Sequence, residues 1–108
     1  MVLDIVARSL CWIRRHTLGD AQRLNQTIGM NLKAAAKRAG QRFVVVSRSD
    51  STLRGHFPGE VEALIQGLGE EPDGLLLVPF FLAGGRYTLA NVHYVAEGEW
   101  LIPAADTE

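Results

Sequence analysis

Ten consecutive residues, Ser47-Arg48-Ser49-Asp50-Ser51-Thr52-Leu53-Arg54-Gly55-His56, carry two guanidinium groups, one carboxylate, four hydroxyls and an imidazole. A guanidinium grips a carboxylate through two parallel, charge-assisted hydrogen bonds. Asp50 can accept from the hydroxyls of a polyol, and the Ser and Thr hydroxyls can both donate and accept. Gly55 lets backbone approach a ligand closely. This set suits a small polyhydroxylated acid. The same residues also suit ordinary turn chemistry, with Asp50 capping a turn or Arg48 pairing with Asp50 alone.

A second cluster reads Pro79-Phe80-Phe81-Leu82-Ala83-Gly84-Gly85-Arg86-Tyr87-Thr88. Two glycines before an arginine can present backbone N–H groups and a guanidinium to an anion. The competing reading is a tight turn beside an aromatic patch. The cluster matches neither the phosphate-cradling loop that ends in Lys and Ser/Thr nor the three-glycine dinucleotide pattern. His56 and His93 carry imidazoles, a side-chain type that can serve as acid or base. However, no Ser, Cys or carboxylate stands at a spacing that names a catalytic pair. Trp12 and Trp100 read as core, His16 as surface, and Cys11 as a small buried apolar residue.

The elements that must position these loops follow from periodicity. Residues 2–7 are short and β-branched and read as a strand. Residues 20–39 place Ala21, Leu24, Ile28, Leu32, Ala35 and Ala39 on one helical face, with Asp20 as N-cap and Gly40 as the stop. Residues 42–47 hold the continuous apolar run Phe43-Val44-Val45-Val46, the mark of a strand covered on both faces. Residues 58–68 read as a second helix that buries Val61, Leu64, Ile65 and Leu68, with Pro58 at its first position and Gly69 at its end. That helix would bring its N-terminal partial charge near the first loop, although Glu60 and Glu62 oppose an anion there. Residues 74–80 repeat the buried-strand pattern. Residues 81–91 read as a loop, and residues 92–95 and 99–102 as a hairpin through Glu97-Gly98. Strands alternating with helices predict an α/β fold: an open, mainly parallel sheet flanked by helices, with a short β tail. Both polar loops then follow strands and open at the carboxyl edge, where ligands bind in such sheets.

The chain has 108 residues and a formal net charge of −1. The length suits a single small domain. The charge argues against general nucleic-acid binding, which needs a basic surface. One cysteine cannot form an internal disulfide, and no metal-ligand spacing occurs, so a cytoplasmic setting is expected. No apolar run approaches the ~20 residues that span a bilayer, so no membrane association is expected.

With these residues in view, Asp50-Ser51-Thr52-Leu53-Arg54-Gly55 resembles the Asp-Ser-Thr-Leu-Arg-Gly signature of the four-carbon acid sugar kinase family. Leu77-Val78-Pro79-Phe80, Gly84-Gly85-Arg86 and His93-Tyr94-Val95 are similar to that family's next block, and Ala7-Arg8-Ser9 to its segment after an early strand. The resemblance implies a small sugar-acid substrate such as threonate or erythronate. It also implies an N-terminal substrate domain and a separate nucleotide domain, with ATP and magnesium as cofactors of the full-length protein and none held by this chain. It carries Ser49, Asp50, Ser51, Thr52, Arg54 and Gly55 onto sugar-acid-contacting positions, and Gly85 and Arg86 onto a second set. Arg48 joins the first set by its place in the loop.

The family opens on an Asp-Asp-x-Thr-Gly-Ala motif that does not occur here. The chain is therefore expected to be an incomplete N-terminal substrate-binding domain, without the nucleotide domain that phosphoryl transfer requires. A coupled ADP-release assay on this chain is expected to show no turnover, and measurable turnover would refute that. The alternative is a non-catalytic α/β module or gene remnant that self-associates, since a bare parallel strand edge invites pairing.

Overall fold

Helix formation begins where a hydroxyl can satisfy free N–H groups. In the structure, a computed structural model, residues 3–7, 17–48, 50 and 52–107 are described, residues 3–7 through their backbone alone. Helix α1 spans Leu18–Ala39. Its cap is Thr17, three residues before the expected Asp20. Thr17 Oγ1 accepts the Asp20 N–H at 3.2 Å and donates to Asp20 Oδ2 at 2.7 Å. The hydroxyl thus caps one free N–H of the first turn, and the carboxylate three residues on accepts its hydrogen and holds it in place. Gly40 ends the helix at φ 62°, and its N–H reaches the Ala36 and Lys37 carbonyls.

Helix α2 spans Gly59–Leu68, so Pro58 stands just before the first helical residue and not at it. Its entry is clamped from both sides. The Glu60 carboxylate accepts the His56 N–H at 2.7 Å, and the Glu60 N–H donates to the His56 carbonyl at 3.1 Å.

The two helices bury part of the faces expected, Ala21 and Leu64 among them, but the closest contact lies on small residues beside those faces. α1 buries Ala21, Asn25 and Gly29, while Leu24 is exposed. α2 buries Glu60, Ala63, Leu64 and Gly67, with Val61, Ile65 and Leu68 half-buried. The cause is backbone approach. A Cβ on Gly29 would lie 2.6 Å from the Leu64 carbonyl oxygen, and a Cβ on Gly67 would lie 2.2 Å from that of Gln26. Small residues therefore define the contact, and the large apolar ones flank it. Buried Asn25 is satisfied, because its Nδ2 donates to the Ala21 carbonyl at 2.9 Å.

Strands β1 (Leu3–Ala7) and β2 (Phe43–Ser47) pair in parallel, from Leu3 opposite Phe43 to Ala7 opposite Ser47. With α1 as the crossover they form the expected β-α-β unit. The expected open, mainly parallel sheet flanked by helices is not formed. Among the described residues the parallel sheet has two strands, and the larger sheet is antiparallel with three. Residues 75–78 do not join a ladder, and Leu76 is 87% and Val78 66% exposed. Val44 and Val46 are also exposed, so β2 is not covered on both faces. An apolar run shows that a segment can be buried but does not specify which strand it pairs with.

The antiparallel sheet orders β3 (Arg86–Leu89), β4 (Val92–Glu97) and β5 (Trp100–Pro103) as consecutive hairpins. Residues expected as a loop thus include a strand. Ala90 and Asn91 both take positive φ, at 49° and 65°. This is the two-residue turn whose twist suits a hairpin. The expected β tail is present and longer than predicted, with Gly98 in its turn at φ 62°. Trp100 is 77% exposed and is not a core residue.

By their internal contacts, the residues divide into two units: Met1–Ser49 with Gly55–Gly74, and Asp50–Arg54 with Leu75–Glu108. Expectations for Val2 and for residues 8–16, including Cys11, Trp12 and His16, fall outside the described residues. Among the described residues no helix is long and apolar enough to cross a membrane.

Candidate functional site

The site is built within the second unit, where a short turn and the start of β3 meet. Residues 50–54 form the turn. The Leu53 N–H donates to the Asp50 carbonyl at 2.9 Å, and Leu53 itself takes φ 59°. Asp50 Oδ1 accepts the Thr52 N–H at 3.4 Å, so Asp50 does serve the turn as well as a side-chain partner. That partner is Arg54 and not Arg48. Arg54 Nε donates to Asp50 Oδ2 at 2.7 Å, and Nη2 approaches Oδ1 at 3.5 Å. The hydrogen bond to Asp50 raises the Arg54 pKa above the ordinary guanidinium value, so Arg54 is a permanent cation.

The second loop is shaped by its glycines. A 3-10 turn, Leu82–Gly84, is closed by a bridge between Phe81 and Arg86, whose two hydrogen bonds measure 3.0 and 2.9 Å. Gly85 takes φ 66°, and a Cβ there would lie 3.1 Å from that of Ala96. A Cβ on Gly84 would press into the Phe81 ring at 2.3 Å. Position 85 therefore requires glycine, a Cβ at Gly84 would displace the exposed Phe81 ring, and the pair delivers Arg86 to the first position of β3, opposite Val95 of the core. Phe80 and Tyr87 meet edge to face with centroids 6.2 Å apart, which is the aromatic patch expected beside this turn.

The two loops, 34 residues apart in sequence at the contacting positions, converge on one hydroxyl. Arg86 Nε donates to Thr52 Oγ1 at 3.3 Å, and Arg54 Nη2 donates to the same oxygen at 3.4 Å. Arg86 Nη1 also donates to the Gly84 carbonyl. Among the described residues Arg86 has no carboxylate partner, and Arg54 Nη1 and Arg86 Nη2 have no hydrogen-bond acceptor. Two guanidinium groups and one carboxylate leave a positive excess, with donors to spare. Such a group can accept an anion.

Of the residues expected at the site, Asp50, Thr52, Arg54 and Arg86 come together, with Gly85 shaping the turn. Arg48 and Gly55 belong to the other unit, and Arg48 is exposed. Ser49 and Ser51 lie outside the described residues. His93 is buried in the β-sheet and hydrogen-bonds through Nδ1 with Thr88, its cross-strand partner, at 3.0 Å. The Gly84 carbonyl, which fixes Arg86, was not foreseen, because a backbone acceptor leaves no mark in a sequence.

Comparison with curated proteins and with solved structures returns no match. Residues 10–108, nearly the whole chain, match the family described as the sugar-binding N-terminal domain. The chain therefore belongs to the sugar-binding N-terminal domain family.

Proposed function

We propose that this chain is the sugar-acid-binding portion of an ATP-dependent kinase acting on four-carbon acid sugars. The observation that carries the reading is the meeting of Arg54 and Arg86 at Thr52 with, among the described residues, the Asp50 carboxylate alone to balance them. The acid's carboxylate takes the free guanidinium donors, and the Asp50 carboxylate, which holds Arg54 and the Thr52 N–H, stands beside it. Membership of a sugar-binding family supports a sugar ligand, and the positive excess supports an acidic one.

ATP and magnesium belong to the phosphoryl transfer of the full-length protein. Among the described residues no group of three or more His, Cys, Asp or Glu side chains is placed to hold a metal ion. No step is assigned to either here.

Isothermal titration with threonate and erythronate, against the neutral polyol erythritol, tests the reading. Heat from the acids without comparable heat from erythritol is expected, and no binding of either acid refutes it. Arg54→Ala is expected to weaken acid binding roughly 10- to 100-fold, the usual effect of losing a hydrogen bond to a charged group. An unchanged affinity removes Arg54 from the site.

A second reading is self-association. It is favoured by the exposed apolar side chains of residues 75–78 and of Val44 and Val46 on β2. Contiguous apolar exposure marks interaction surfaces. Light scattering over a concentration series decides it, and a constant monomer mass rules it out.

A further inference from the structure

Thr52 occupies an unusual place in this group. It is 4% exposed. A threonine hydroxyl offers two acceptor lone pairs and one donor hydrogen. Arg54 Nη2 and Arg86 Nε occupy both acceptor positions, and the Thr52 N–H is held by Asp50. Little capacity is left for accepting from a ligand.

The two donors are like charges that repel when close. Asp50 offsets the charge of Arg54, but Arg86 is held only by neutral oxygens. The shared hydroxyl is thus the one side-chain atom, among the described residues, that binds both forks.

We infer that Thr52 is a positioning residue: its hydroxyl sets the separation of the Arg54 and Arg86 guanidinium groups and so selects a carboxylate over a neutral polyol. The ligand part of this inference rests on the sugar-acid reading above, whereas the coupling of the two arginines does not. Valine keeps the shape of threonine but offers no acceptor. Serine keeps the acceptor.

The test compares the full chain with Thr52→Val and Thr52→Ser by two readouts. The first needs no ligand. Solvent exchange of the Arg86 Nε–H, read by nitrogen-15 NMR, is expected to be slow in the parent chain and in Thr52→Ser, and about tenfold faster in Thr52→Val, on the scale of one lost hydrogen bond. The second is calorimetry with erythronate and erythritol. Thr52→Val is expected to lose about tenfold in affinity for the acid, with erythritol unaffected, and Thr52→Ser to stay within about threefold of the parent.

Unchanged Arg86 exchange in Thr52→Val overturns the inference, as does retained acid preference in a folded valine variant. If the parent chain binds no acid, the sugar-acid reading fails while the exchange comparison still decides the role of Thr52. If Thr52→Val does not fold by circular dichroism, Thr52→Ala replaces it. If neither folds, Arg86→Lys, which keeps the charge but lacks the Nε–H, must show the same loss of acid preference, and preference retained there overturns the inference.

Discussion

Gly67→Val is expected to lower the stability of the chain by about 3 kcal/mol, the upper part of the usual cost of overpacking a closed contact. The position lies inside α2, where glycine is intrinsically a poor residue and alanine would be favoured by about 1 kcal/mol. Local propensity alone therefore predicts stabilisation on any replacement. Packing reverses the sign. A Cβ at position 67 would lie 2.2 Å from the Gln26 carbonyl oxygen and 2.9 Å from its carbon, both backbone atoms of α1. Backbone cannot rotate aside as the end of a side chain can, so the helices must separate. Separation would also loosen the contact at Gly29, whose own Cβ position meets the backbone of residues 64, 67 and 68. Against a typical stability of about 5–15 kcal/mol, this loss is severe. Urea denaturation followed by circular dichroism measures it. Gly74→Ala is the control, because nothing lies within 4 Å of a Cβ there. A Gly67→Val midpoint equal to that of Gly74→Ala would contradict the helix contact.

Arg86→Ala is expected to reduce sugar-acid affinity roughly 10- to 100-fold while leaving the fold intact. Arg54 is already balanced by Asp50, and Arg86 carries the charge with no counter-ion among the described residues. Removing it leaves a neutral pair, Arg54 with Asp50, and no excess to attract a carboxylate. The Arg86 side chain is half-buried, so its interaction is only partly screened. Acid binding by the parent chain should fall with rising salt, and the variant's residual binding should fall less. Arg86→Lys keeps the charge but not the planar fork, and is expected to lie between the two. Calorimetry at two ionic strengths checks all three chains. An Arg86→Ala affinity equal to that of the parent would place the anion elsewhere.

The parts of this architecture that were legible in advance are those set by local chemistry. Gly40 and Gly69 mark the ends of α1 and α2 because only a left-handed residue turns the chain there, and Gly98 marks the β4–β5 turn for the same reason. The polar turn after β2 and the Gly-Gly-Arg turn were both visible as candidate anion sites. Their convergence was not, since the hydrogen bond from Arg86 to Thr52 joins residues 34 apart and leaves no periodic trace. The pairing of Asp50 with Arg54 in place of Arg48 depends on Leu53 taking φ 59°, a conformation that leucine does not advertise.

The helix contact was read only in part, because apolar periodicity finds Ala21 and Leu64 but passes over Gly29 and Gly67, where the backbones come closest. The sheet was misread for a different reason. Residues 75–78 have the composition of a buried parallel strand. Strand pairing in the structure instead follows short hairpin turns at residues 90–91 and 98–99, where closing the loop costs little chain entropy.

The central claim is that Arg54 and Arg86 act on a carboxylate together. Nitrogen-15 NMR of the arginine side chains during titration with erythronate addresses it most directly. The Nε–H signals of Arg54 and Arg86 should move in concert and saturate at one ligand concentration, while those of Arg23 and Arg38 on α1 stay still. Shifts confined to other arginines, or to one of the two without the other, would contradict it.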